Sequence, residues 1–230
     1  MTARPPLDAV RRAARLSAFA GLATLLIALS MGADPLVMPA IDPPCPQPAP
    51  ILCAELPPDG ATLRAVLAAP ENPPSRWRIQ LALDVVFLVA YGVFGAAGAL
   101  ALGARGVAPR WAAGLFVLAA ALDLVEDLAL FAAIDTPGVH DRWALLIRAT
   151  ASAKFISLAL ALLAIAVAAP PGRHRAGGPR WAPWGWTLGA ALAIAGCAGL
   201  VIPAAWPLSI LGLCAGWSAL WRAAWRTAHA

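Results

Sequence analysis

Long apolar runs, separated by short segments that carry most of the arginines, dominate this chain. The runs cover 16–33, 80–103, 111–134, 149–169, 185–203 and 206–222; a polar, proline-rich stretch, 34–77, separates the first two. Each approaches the roughly 20 residues that a helix needs to cross the hydrocarbon core of a bilayer. Alanine and leucine fill the runs without the alternation of a half-buried strand, and in lipid a helix satisfies its own backbone hydrogen bonds. The pattern predicts an all-α, polytopic membrane protein: a six-helix transmembrane bundle forming a single integral-membrane domain over 1–230, with 34–77 as an exported loop.

The flanking charges orient this bundle. Arg4, Arg11, Arg12 and Arg15 precede the first run; Arg105 and Arg110, then Arg173, Arg175 and Arg180, occupy the second and fourth connections; Arg222 and Arg226 sit in the tail. The other side is acidic, with Asp34, Asp42, Glu55, Asp59 and Glu71 against Arg64 and Arg76 in 34–77, and Asp135 and Asp141 against Arg142 in 135–147. Arginine-rich connections stay in the cytoplasm, so both termini are expected there. Tryptophans at 77, 111, 143, 181, 184, 206, 221 and 225 fall at run boundaries, where an interfacial belt would place them. The first run also fits a cleaved secretory signal, with arginines before an apolar core that ends in Ser30, Gly32 and Ala33; cleavage would leave five spans in the same orientation.

Composition agrees with the pattern. At 61% hydrophobic and 13% charged residues, with mean hydropathy +0.74, the chain has more apolar surface than a soluble domain of 230 residues can bury. The net charge of +5 comes from arginines in the connections, which set orientation and do not point to a nucleic-acid partner. Lys154 is the only lysine among seventeen basic residues. This bias, with abundant alanine, glycine and proline, suggests a GC-rich bacterial genome and hence the bacterial inner membrane.

Prolines disfavour a long regular element in 34–77, although 58–69 can form a short helix after Pro58. Cys45 and Cys53, on the oxidising side, form the expected disulfide; their spacing matches neither a CxxC redox motif nor a zinc site. Cys197 and Cys214 lie at similar distances from the turn at 204–205 and read as small apolar fillers.

The candidate chemistry is a set of charges inside the runs. Asp123, Glu126 and Asp127 share one broad face of the third run, being three and four residues apart. Asp84 enters with the second run, and Tyr91, Gly95 and Gly98 lie on its stripe; Lys154 and Ser157 sit in the fourth run, with Arg148 at its mouth. Counted from the exported side, these groups fall at overlapping depths in three consecutive runs and predict an outward-facing polar cavity. Intramembrane charges are costly, so they mark function or paired scaffolding. On the functional reading Asp123, Glu126, Asp127 and Lys154 are catalytic, with Asp123 or Asp127 transferring the proton; Asp84, Tyr91, Arg148 and Ser157 contact substrate. On the scaffolding reading Lys154 pairs with Asp127 or Asp123, and Asp84 and Glu126 reach the headgroups or pair with Arg78 and Arg148.

The acid spacing fits metal, proton and lysine binding alike, so no metal or other cofactor is assigned. There is no HExxH, phosphate-binding GxxxxGK[ST], GxGxxG or GxSxG motif, and His140, His174 and His229 all lie outside the runs, which argues against intramembrane haem. The expected partners are membrane lipids and an amphiphilic small molecule; no protein partner is indicated. Three functions follow: an enzyme acting on a lipid-like substrate, a proton-coupled transporter, or a structural, assembly or sensory membrane protein. A transporter built from inverted halves would repeat its acids, whereas here they occur only in the second and third runs.

Overall fold

The computed structural model describes residues 7–41, 45–47, 49–102, 108–136, 138, 140–168, 189–191, 194, 197 and 206–229. All regular structure among them is helical: α1 Leu7–Ala33, α2 Pro50–Glu55, α3 Gly60–Leu67, α4 Pro74–Leu102, α5 Ala108–Asp135, α6 His140–Ala168 and, after a gap, α7 Trp206–His229. Three of these, α1, α4 and α6, are long and apolar enough to cross a membrane. Most of the 185–203 run lies outside the described residues.

The exterior differs from that of a water-soluble bundle, and the interior holds charges. Phe19, Leu25, Leu26 and Leu29 of α1, Val86 and Val89 of α4, and Val117, Leu118 and Leu128 of α5 are exposed, while Asp84, Asp123, Glu126, Asp127 and Lys154 are buried. Charged residues are almost never fully buried in soluble proteins unless paired, and an apolar exterior belongs in lipid.

Consecutive long helices are neighbours: α1 packs on α4, α4 on α5 and α5 on α6, and α7 returns against α1 and α4. Small residues allow the close approaches. A Cβ on Gly21 would lie 2.9 Å from Phe94 and Trp221, one on Gly98 would lie 2.7 Å from Leu220, and one on Gly95 would overlap the Phe116 ring. Side-chain hydrogen bonds secure the same contacts, Ser17 Oγ donating to Phe94 O at 2.9 Å and Trp221 Nε1 to Ala18 O at 3.1 Å.

The 34–73 segment is tied firmly to the bundle. Gln80 Nε2 donates to Asp34 O at the end of α1 (2.6 Å). The buried Asn72 amide accepts from Val37 N at 2.9 Å and donates to Val37 O at 2.6 Å. Arg76 pairs with Asp34 and donates to Pro35 O at 2.7 Å. Cys45 and Cys53 form the expected disulfide, with their Cα atoms 6.2 Å apart. The short helix expected near 58–69 is α3; Asp59 caps it, accepting from Thr62 N at 2.7 Å, and this hydrogen bond holds its carboxyl below the usual range. Helix α2 was not foreseen.

These short helices build an apolar core with the ends of the long ones. Cys53, Ala54, Leu63, Val66 and Leu67 pack on Trp77 and Leu81 of α4, Leu130 and Ala133 of α5 and Ile147 of α6. Trp77 therefore departs from the interfacial belt. It is fully buried beneath the cap, whereas Trp111, Trp221 and Trp225 remain exposed.

Candidate functional site

The buried charges expected from the sequence converge beneath α2. Helices α4, α5 and α6 present Asp84, Asp123 and Lys154 toward a common interior, with Glu126 and Asp127 on the buried face of α5. Lys154 Nζ donates to Asp123 Oδ1 at 2.7 Å and lies 3.0 Å from Glu126 Oε2. The other Asp123 oxygen, Oδ2, accepts from Tyr91 Oη at 2.9 Å. The only lysine and the only tyrosine of the chain thus meet on one carboxylate. Tyr91 is itself held by rings, 5.4 Å between centroids from Phe87 and 6.1 Å from Trp217 in an edge arrangement.

A third acid reaches Lys154 from outside the apolar runs. Glu55, the last residue of α2, is buried and lies 3.4 Å from Nζ through Oε2. Burial pushes its carboxyl up from the ordinary range, and the Lys154 charge opposes that rise. Sequence reasoning treated Glu55 only as one of several exported acids. The available signal was local: in PILCAELPP a lone acid is enclosed by apolar residues and prolines, two positions after a disulfide cysteine. Leu56 packs on Ala151, with Leu52 and Phe155 beside it, and this contact seats α2 over α6.

Asp84 and Asp127 form the other half of the cluster. Together with Asp123 they bring one carboxylate oxygen each to within 4.8 Å of one another. No basic side chain among the described residues pairs with Asp84 or Asp127. The expected Lys154–Asp127 pair is not formed, whereas the Lys154–Asp123 pair is. Asp84 and Glu126 are both buried within the protein, and Arg78 pairs with Asp135 instead, at 2.6 Å.

Two residues expected at the site do not join the cluster. Arg148 is exposed. Ser157 is buried, but its hydroxyl donates to Ala153 O on its own helix at 2.8 Å, a bond that leaves it a local role.

Part of the cluster lines a cavity of about 530 Å³. Glu55, Asp84, Tyr91, Asp123 and Lys154 are among its polar groups, and Leu25, Phe87, Leu158, Leu213 and Trp217 are among its apolar walls. Small-molecule sites commonly have this character, an apolar lining with a few convergent polar groups. Asp123 is oriented by two donors and suited to hydrogen-bond or exchange a proton with a bound polar group, and Lys154 supplies a positive charge beside it.

Compared with known proteins, the chain matches no protein family, no curated sequence and no solved structure. The functional reading therefore rests on its own geometry.

Proposed function

We propose that this is a small multi-pass protein of the bacterial inner membrane, a six-helix bundle with both termini cytoplasmic, which takes a lipid-like ligand into the cavity and acts on it with the carboxylate/lysine cluster. The carrying observation is one cavity that combines apolar walls with buried charged groups, where Tyr91 and Lys154 both donate to Asp123. The apolar exterior of α5 supports counting it as a span despite its three acids, since all three point inward. Asp123 is the proton-transferring group, Glu126 and Asp127 are the further acids, and Asp84 and Tyr91 contact the ligand head. The carboxylate excess over the single lysine favours a second reading, a proton-coupled carrier, in which the same acids load and release protons.

The proposal makes a topological prediction. A reporter fused after Arg105 or Arg175 will read cytoplasmic, and one inserted after Asp135 or near Glu55 will read exported. Exported labelling after Arg175 overturns the orientation.

The functional test is native mass spectrometry of the protein released from lipid nanodiscs. A lipid or other amphiphile of reproducible mass is expected to remain bound and to be lost in Asp123→Asn, with the folded helical spectrum retained. Chemical conversion of that molecule by the wild-type protein supports the enzyme, and its unchanged passage into proteoliposomes supports the carrier. If acid-to-amide variants at Asp84, Asp123 and Asp127 fold and hold the same molecules as the parent, the cluster is scaffolding and the proposal fails.

A further inference from the structure

Lys154 accounts for only part of the buried acid. Five carboxylates, those of Glu55, Asp84, Asp123, Glu126 and Asp127, are buried in this region, and Lys154 lies within 4 Å of Glu55, Asp123 and Glu126. Asp84 and Asp127 have no basic partner among the described residues. A carboxylate removed from water needs a counter-charge, a proton or donors in compensation.

The geometry of this second half is specific. Asp123 and Asp127 are one turn apart on α5, and Asp84 faces them from α4, so that an oxygen from each lies within 4.8 Å of the other two. Oxygens bound to opposite sides of one cation at roughly 2.1–2.5 Å are about 4.2–5.0 Å apart, and adjacent ligands are closer. A common bound of 4.8 Å admits a single ion, with one pair of oxygens on opposite sides of it and the third between them. About two turns from Asp84 the two helices approach closely: a Cβ added at Gly92 on α4 would lie 3.0 Å from that of Ala120 on α5.

One oxygen of the triad also lacks a donor. Asp127 is 1% exposed, yet its Oδ2 has no hydrogen-bond partner. A buried acceptor left unsatisfied is destabilising and uncommon in native structures. Asp123, although engaged by Lys154 and Tyr91, retains lone pairs for a further contact, since an ionised carboxylate has about four acceptor sites. Asp84 and Asp123 both line the cavity, which provides a way in.

We propose that Asp84, Asp123 and Asp127 bind a divalent metal ion of the oxygen-preferring class, such as Mg²⁺, Mn²⁺ or Ca²⁺. An all-carboxylate donor set, with no histidine or cysteine among the grouped residues, selects these hard cations over zinc or copper. The ion supplies the positive charge that Asp84 and Asp127 lack, while Lys154 serves Asp123, Glu126 and Glu55. This inference rests on the carboxylate arrangement and holds whether or not the cavity takes a lipid-like ligand.

The test is Mn²⁺ binding to the full chain in nanodiscs, followed by electron paramagnetic resonance and by thermal unfolding. One saturable Mn²⁺ per protein is expected, displaced by excess Mg²⁺ and raising the unfolding temperature. Asp84→Asn and Asp127→Asn should each weaken binding by more than about tenfold, a loss that removal of even an outer-shell partner can cause. The exposed Asp135→Asn should bind Mn²⁺ like the parent. The amide variants remove carboxylates that have no basic partner, so without metal they should unfold at or above the parent temperature; the wild-type titration stands independently of them. Absence of saturable Mn²⁺ binding by folded wild-type protein overturns the site and leaves protons as the neutralising species. Equal Mn²⁺ affinity in the wild type and the Asp84→Asn/Asp127→Asn double variant also overturns it, because the ion then binds elsewhere.

Discussion

Lys154→Met is expected to destabilise the protein by about 3–5 kcal/mol, the range seen when one member of a buried ion pair is removed and its partner is left behind. The effect should be large because Nζ is shared: Asp123, Glu126 and Glu55 lie 2.7, 3.0 and 3.4 Å away, and all four side chains are less than one-tenth exposed. Methionine retains most of the apolar stem but none of the charge. Adding Glu126→Gln or Asp123→Asn should recover much of the loss, since each removes a carboxylate left without its cation. Asp127→Asn should recover less, because Asp127 is not an ion-pair partner of Lys154. Denaturant unfolding in a mild detergent measures each corner of these cycles, and contacting residues are expected to show coupling energies of about 0.5–3 kcal/mol. Equal rescue by all three acid-to-amide changes would show that Lys154 responds to the total charge of the cluster rather than to these pairs.

Breaking the Cys45–Cys53 bond is expected to cost roughly 2–3 kcal/mol, the chain-entropy value for closing so short a loop. The two cysteines are eight positions apart, and Cys53 is buried in the core formed by the cap and the ends of α4, α5 and α6. The local consequence should exceed the global one, because Glu55 is two residues beyond Cys53 and reaches the site only while α2 is seated. Lys154 reports on this directly, being the only lysine. In the oxidised protein it should resist amine acylation, and in Cys45→Ser/Cys53→Ser its modification, followed by peptide mass spectrometry, should rise severalfold. If acylation of Lys154 is the same in both proteins, α2 is held by its packing on Ala151 and Phe155 without help from the disulfide.

Much of the site was legible because depth along a helix is additive. Each residue advances the chain by about 1.5 Å, so counting inward from the polar boundaries brings Asp84, Asp123, Glu126, Asp127 and Lys154 to similar levels. The three- and four-residue spacing likewise places the α5 acids on one face, and the structure buries all three. Cys45 and Cys53 were readable from compartment and proximity, and α3 from Pro58.

Other features depend on where helices lie around one another, which depth does not specify. The choice of Asp123 and Glu126 over Asp127 as partners of Lys154 follows from the rotation of α5 against α6. Arg148 lies in the same helix as Lys154 yet faces outward, and Ser157 spends its hydroxyl on its own backbone. Trp77 has a boundary position in the sequence but becomes core when α2 and α3 fold over it.

The amino-acid sequence by itself determined the helical class, the apolar runs and the shared level of the buried charges, because hydropathy and helical rise are local quantities. Only the tertiary structure decided that Glu55 descends from the cap to Lys154, that Tyr91 and Lys154 meet on Asp123, and that α1 and α7 leave an apolar cavity beside them. Those outcomes come from many weak contacts between segments distant in the chain, acting together with one disulfide, and no single stretch of sequence contains their sum.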